Sequence, residues 1–334
     1  MRETSSSPDS TFILIFYFSQ LKPLLGFVAH QCDIATGESE GGGGQEGEKE
    51  GDGAHGYVGS RFIERTNNKY NLKCIDSLLK PGKLPAHIEH KDYRDMTKSE
   101  LKEFDICLWV AGYSSVPLSK ENPVDCYENN YSGLVDFTNK FNGKLIYASS
   151  GSVYANADGA ICDEKTPIGM PQNIYDYTKV AFDHYMEVMN KNYVSLRFGT
   201  VDGGSPRIRE EVLLNRMVKD AFIDKEVNLA NPKANRGVLY IEDLIDALEL
   251  LIDNPPKKSE IFNLNSCNGN MESFANIVIK KTGAKLNMLK DSNAYDFQMT
   301  SQKFSDHYSY EFTNDIEVVI NNIIDFYKTK YSST

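Results

Sequence analysis

The chain has 334 residues, 40% of them hydrophobic and 25% charged, with a net charge of −11. That apolar content can bury a sizeable core, as one large domain or two modest ones. The acidic balance excludes a partner gripped by a nucleic-acid phosphate backbone, which needs clustered Lys and Arg, but allows a small anion held by a few local cations.

From the beginning of the chain, the first apolar run is TFILIFYF, residues 11–18. It is too short to cross a bilayer, and Arg2 alone supplies too little basic charge for a secretory leader. With no other long apolar stretch, the expectation is a soluble, cytoplasmic protein that does not enter a membrane. Residues 37–53, GESEGGGGQEGEKEGDG, are acidic and low in complexity, the composition of a disordered segment. GAHGYVGSRFIERT, 53–66, then spaces Gly53, Gly56 and Gly59 three apart at the head of a helical pattern. Such glycines let a backbone turn tightly, approach a pyrophosphate and pack a helix on a sheet. The other reading is a flexible loop, since the preceding residues are already glycine-rich. KCID, 73–76, reads as a strand with Asp76 at its tip, about 20 residues past the turn, where a carboxylate accepts from ribose hydroxyls and repels a 2′-phosphate. Asp76 is otherwise a helix cap before SLLK.

DICLWVAGYSSV, 105–116, is a second apolar strand running into a loop. KLIYASSGSVY, 144–154, is a third, ending in a Ser-Ser-Gly turn of the kind that borders ligands in open parallel sheets. NIYDYTK, 173–179, opens a helix whose period continues to residue 191. Ser150, Tyr175 and Lys179 therefore stand in one order and spacing. Tyr175 and Lys179 lie four apart on one helix face, where an ammonium can favour the phenolate by ~1–3 pKa units. The competing reading is a Tyr and a Lys on a solvated face and a Ser in a turn. Beyond them come a strand at 193–200, helices at 210–222, 242–254 and 273–283, a strand at 260–265 and an amphipathic helical tail. The six cysteines have no metal-ligand spacing and read as reduced, mostly buried thiols; no metal is expected.

These pieces together resemble the extended short-chain dehydrogenases/reductases, in their nucleotide-sugar epimerase/dehydratase branch. The resemblance runs from Gly53 onward. It implies an α/β fold, a doubly wound parallel sheet of Rossmann-like form over 53–203, with a smaller substrate-capping lobe over 204–334. It implies NAD as cofactor, bound by Gly53, Gly56, Tyr57, Val58, Gly59, Asp76, Ala111, Gly112 and Lys179. Ser150, Tyr175 and Lys179 would be catalytic. Ser150, Ser152 and Thr200 would meet the sugar, and Arg207, Arg209, Arg216 and Arg236 its diphosphate, each arginine being otherwise a surface ion pair. A nucleotide-sugar substrate and a homodimer are implied as partners. Dehydratases of this family carry an acid pair directly after the active-site Ser or Thr, and here Gly151 and Ser152 follow. Dehydration is therefore disfavoured; epimerisation and simple reduction or dehydrogenation remain, with epimerisation the favoured reading.

The beginning departs from the family, whose first strand feeds directly into the glycine turn. No strand is legible in 37–53. Either residues 11–18 form that strand with a long insertion after it, or residues 1–52 are a faulty translation that replaced it. The second is favoured, because long structureless insertions in compact units are rare. A member of the family without catalytic activity is the corresponding alternative.

Overall fold

A computed structural model describes residues 12–16, 56–66, 69–76, 88–114, 116–155, 157, 159–291 and 295–332. Seven strands form one parallel sheet: β1 (Phe12–Phe16), β2 (Leu72–Asp76), β3 (Ile88–His90), β4 (Ile106–Trp109), β5 (Lys144–Ser150), β6 (Tyr193–Phe198) and β7 (Glu260–Leu264). Their spatial order is 3-2-1-4-5-6-7. From β1 the chain works outward through β2 and β3, then crosses back to β4 on the other side of β1. The crevice at the carboxyl ends of β1 and β4 is where such sheets bind ligands. Two-sided burial explains why the strands read as unbroken apolar runs: all four residues of β4 are buried, and so are six of the seven in β5.

The beginning of the sheet bears on the two readings of residues 1–52, because it contains a strand from the early apolar run. Phe12–Phe16 occupies the central position, with Phe12 opposite Leu72 on one side and opposite Ile106 on the other. The physical reason is edge satisfaction. Without this strand, β2 and β4 would each present a row of unpaired backbone groups, and pairing asks only for an apolar pentapeptide, not for nearness in sequence to the glycine turn. The segment 17–55, which contains Gly53, lies outside the described residues.

One strand from beyond residue 203 joins the main sheet. β7 comes from the C-terminal half and pairs with β6, from Glu260 opposite Val194 to Leu264 opposite Phe198. Helix Ile241–Asp253, likewise from that half, lies beside helix Tyr57–Thr66. Arg61, Arg65 and Lys69, four apart, meet Glu242, Asp246, Glu249 and Asp253 in a ladder of ion pairs at 2.6–3.4 Å. Exposed pairs of this sort contribute about 0.2–1 kcal/mol each, so the ladder sets register more than stability.

The lobe has its own small sheet, in which strand Asn235–Tyr240 pairs in parallel with Thr200–Asp202 and antiparallel with Cys267–Asn270. A second apolar core, including Leu214, Val218, Val238, Phe274 and Ile320, holds it. A short strand, Gln298–Met299, crosses back to pair with Ile161–Cys162 beside the main sheet. No described helix is long and apolar enough to cross a membrane, and no described cluster of His, Cys, Asp or Glu could hold a metal ion.

Candidate active site

β5 delivers Ser150 at its last residue, and a tight turn, Gly151–Tyr154, follows. Ser150 caps that turn, its Oγ accepting from the Ser152 amide at 3.2 Å. The active-site helix, Ile174–Val188, begins under an Asn173 cap whose Oδ1 accepts from the Asp176 amide at 3.0 Å. A side chain from the first half of this helix therefore faces the end of β5.

What fixes the helix against the sheet is Asp183, one turn beyond Lys179. Its buried carboxylate accepts from Tyr147 at 2.8 Å, Ser195 at 2.7 Å, Ser149 at 3.2 Å and the Arg197 Nε at 3.2 Å. Arg197 continues to the Tyr154 hydroxyl at 2.7 Å, and Tyr154 to Asn263 at 3.0 Å. Buried charges are tolerated only when paired in this way. The network reaches from β5 through β6 to β7.

One cavity brings most of the expected residues together. Ser150, Ser152, Tyr175, Lys179 and Thr200 line it, as do Tyr57, Val58 and Gly59 at the head of the first helix and Ala111 and Gly112 after β4. Arg209 and Arg236 also face it. Arg207 and Arg216 do not: the Arg207 Nε is buried without a hydrogen-bond partner, and Arg216 projects outward toward Asp220 at 3.6 Å, one helical turn on. An i,i+4 partner on a solvated face accounts for Arg216. Asp76 is buried at the tip of β2 but does not border the cavity.

Tyr57 borders the cavity, but its hydroxyl is engaged with the lobe. Its hydroxyl donates to the Gly203 carbonyl at 2.7 Å and accepts from Asn215 at 3.2 Å, while the Ser205 hydroxyl donates to its backbone carbonyl at 2.8 Å. The side chain expected to touch cofactor instead bolts the first helix to the lobe.

Burial changes the expected electrostatics of the triplet. Tyr175 is pushed up to about 12 by desolvation, which outweighs its hydrogen-bond interaction with Ser150 and the charge of Arg209. Lys179 is pushed down to about 8 by the same cause. Its Nζ lies 5.7 Å from the Tyr175 ring centre and donates to the Ala148 carbonyl at 2.8 Å. The sequence reading expects the ammonium to acidify the phenol. In the structure desolvation dominates both groups, since a buried site penalises phenolate and ammonium alike.

Several residues of the site carry no motif that marks them. Asn130 sits in a wide helical turn, Glu128–Ser132, a local bulge frequent at functional sites. Its amide clamps the loop after β4, accepting from the Tyr113 amide at 2.8 Å and donating to the Tyr113 carbonyl at 2.9 Å. Gly112 has φ +143°, and a Cβ there would meet Asn130 Oδ1 at 2.7 Å. Glycine is thus required where the loop borders the cavity. Tyr295 and Phe297 close the cavity from the C-terminal segment.

Asp176 changes the reading of the chemistry. Sequence inspection finds no acid beside Ser150. The structure brings one back through the fold: the Ser152 hydroxyl donates to Asp176 Oδ1 at 2.5 Å, and Ser152 and Ser150 lie 2.8 Å apart. Tyr295 donates to Oδ2 at 2.7 Å and Asn173 donates to the same oxygen at 2.6 Å.

The residues present fit a dinucleotide. A helix N-terminus with no acidic residue in its first turn lies at one end of the cavity, which suits a pyrophosphate. Lys179, half-buried, lines the same cavity, its ammonium donating to the Ala148 carbonyl. A doubly wound sheet, a strand-end Ser-Tyr-Lys site and a capping lobe define the architecture of the extended short-chain dehydrogenases/reductases.

The description of the NAD dependent epimerase/dehydratase family matches residues 53–264, and the chain belongs to that family. The UDP-glucose 4-epimerase of Lactobacillus helveticus is 25% identical over 268 residues, 70% of this chain and 80% of the relative. The UDP-glucuronate 4-epimerase 4 of Arabidopsis thaliana is 24% identical over 265 residues, 70% of this chain and 60% of that protein. Among solved structures, the UDP-glucuronic acid 4-epimerase of Bacillus cereus with UDP-glucuronic acid and NAD aligns with a TM-score of 0.73 at 22% identity, covering 83% of this chain and 98% of that one. The UDP-glucose 4-epimerase of Thermus thermophilus in complex with NAD gives 0.70 at 21% identity, covering 82% and 96%. The family is NAD-dependent, and these structural neighbours contain NAD.

Proposed function

We propose that the protein is an NAD-dependent nucleotide-sugar epimerase acting through a transient keto sugar. The observation that carries this reading is the convergence of Ser150, Tyr175 and Lys179 on one cavity that the first residues of the first helix also line. NAD, when bound, supplies a ring that accepts a hydride and can return it. Tyr175, as its phenolate, takes the proton of the reacting sugar hydroxyl, Ser150 hydrogen-bonds that oxygen, and Lys179 holds the positive charge beside both that favours the phenolate. Arg209 and Arg236 hold the diphosphate. Burial lowers the pKa of Arg236 only to about 10, so it stays cationic at neutral pH. Guanidinium suits a phosphate oxygen pair.

The names of the relatives support a UDP-sugar as the substrate class. A catalytically inactive member is motivated by a missing first strand, and Phe12–Phe16 stands in that place. The helices Pro123–Tyr127 and Ile174–Val188 expose Val124, Tyr127, Tyr177 and Val188 on one side of the sheet, the surface by which we expect two copies to pair.

The test is chemical. Denatured protein is analysed for released NAD, and NAD-loaded protein is mixed with UDP-glucose, UDP-glucuronic acid and UDP-N-acetylglucosamine while reduced nicotinamide and the sugar product are followed. An epimerised sugar with NAD fully regenerated is expected. Stoichiometric accumulation of reduced cofactor would make the protein a dehydrogenase instead, and no reaction with any UDP-sugar would end the reading. Tyr175→Phe is expected to retain cofactor while losing about 10²–10⁴-fold in rate.

A further inference from the structure

A hydroxyl has one proton, and that fixes the direction of each hydrogen bond in the row that ends at Ser150. While Asp176 is a carboxylate, the proton of Ser152 is committed to its Oδ1 at 2.5 Å. The 2.8 Å contact between the two serines then has Ser150 as donor. Ser150 also receives the Ser152 amide at 3.2 Å, so it turns its proton away from the cavity and presents only a lone pair there. Adding a proton to Oδ1 reverses the row. Asp176 then donates to Ser152, Ser152 donates to Ser150, and the Ser150 hydroxyl donates into the cavity.

The reaction proposed above makes this direction matter. A keto oxygen can accept hydrogen bonds but cannot give one. Ser150 helps it only as a donor.

We propose that Asp176 is a positioning residue for Ser150: acting through Ser152, its carboxyl proton turns the Ser150 hydroxyl toward the reacting oxygen. This rests on the reading of Ser150, Tyr175 and Lys179 as an oxidation site. The row carries no net proton in the redox step itself. Tyr175 receives the sugar hydroxyl proton, and the C–H electron pair leaves as hydride to the nicotinamide, oxidising the sugar and reducing the cofactor.

The surroundings of Asp176 suit a carboxyl that holds a proton. Tyr295 faces it from the C-terminal segment, Ser152 from the turn after β5, and Asn173 and Tyr175 from its own helix. Burial raises its pKa against the hydrogen bonds of Ser152, Tyr295 and Asn173, and no Lys or Arg acts on it. Lys179, Arg209 and Arg236 line the same cavity without pairing to it. Asn173 and Tyr295 both donate to Oδ2, which leaves Oδ1 as the oxygen that exchanges its role with Ser152.

The same geometry orients an Asn in this place. In Asp176→Asn the amide oxygen meets the two donors at Oδ2, and the amide nitrogen faces Ser152, donating to it permanently. Ser150 is then locked as a donor at every pH. Ser152→Ala releases Ser150 from the row by another route.

The experiment follows reduction of bound nicotinamide in NAD-loaded wild type, Asp176→Asn and Ser152→Ala, at saturating UDP-glucose, UDP-glucuronic acid or UDP-N-acetylglucosamine, across pH. The wild-type rate is expected to carry a downward step as pH rises through the Asp176 titration, and both variants to lack it. A single donor to a developing oxyanion is worth about 10²–10³-fold, so Asp176→Asn should exceed wild type by at least about tenfold above the step. A merely structural role would lower the melting temperature and slow the variants at all pH values with the profile unchanged, which overturns the proposal. Superimposable wild-type and Asp176→Asn profiles overturn it as well. A wild type that reduces nicotinamide with none of the three sugars ends the oxidation reading, and this inference with it.

Discussion

The two ends of the cavity are held by different means. At the Ser150 end the anchor is internal to the main sheet: Asp183 ties the active-site helix to β5 and β6 through four side-chain donors in a dry interior. At the Tyr57 end the anchor is the lobe. Tyr57 reaches Gly203 and Asn215, Ser60 meets Ser205 at 3.1 Å, and the ion-pair ladder runs along the outside. Ser150 and Tyr175 are thus placed by contacts within the main sheet, whereas the head of the first helix is placed by contacts with the C-terminal lobe.

The largest expected effect that breaks this contrast is Asp183→Ala. It leaves the Arg197 guanidinium and three hydroxyls without their acceptor in the interior, and removing one partner of a buried pair costs about 3–5 kcal/mol. Urea unfolding measures it. A loss below about 1 kcal/mol would mean that the active-site helix does not depend on this carboxylate.

A smaller effect tests the other end. Asp202, fully buried where the sheet meets the lobe, accepts from the Leu214 and Asn215 amides at 2.9 and 3.1 Å. Its Oδ2 has no hydrogen-bond partner. Burial pushes its pKa up to about 7. The folded state therefore binds a proton that the unfolded chain, with a pKa of about 3.9, has already released. Its contribution to stability is fully present below about pH 4 and is lost as pH rises toward about 7. Unfolding free energies across that interval should show this fall in wild type and a flatter course in Asp202→Asn; equal slopes would remove Asp202 from the account.

The smallest effect is at the ladder. Arg65 bonds Glu242, Asp246 and Glu249 at 3.0, 2.8 and 3.4 Å, about one-third exposed. Arg65→Ala should destabilise by about 1 kcal/mol or less, and the loss should shrink in high salt. A loss of several kcal/mol that ignores salt would show that the outer ladder, and not Tyr57, is the principal anchor.

Local physics is what makes most of this readable from the chain. The strands at 72–76, 106–109, 144–150 and 193–198 announce themselves as apolar runs because both faces of the sheet are covered. Ser150, Tyr175 and Lys179 announce themselves because a strand end and one helical turn are short-range objects. The opening strand could not be singled out from the chain alone because sheet pairing joins Phe12–Phe16 to residues 72–76 and 106–109 across any length of intervening chain. Asp176 is passed over because its neighbour in function, Ser152, is distant in sequence, and nothing in YDYTK says which way its carboxylate points. The arginines could not be sorted, since Arg209 and Arg216 differ only in the side of the lobe on which they emerge.

By itself, the sequence determined the element types, the order of the Ser, Tyr and Lys, and the family resemblance, because each rests on spacing along a strand or helix. Only the tertiary structure decided which strand fills the centre of the sheet, that Tyr175 and Lys179 share a desolvated cavity, and that an acid stands two hydrogen bonds behind Ser150. Those are properties of desolvation and of contacts between distant segments, which exist only once the interior has been closed to water.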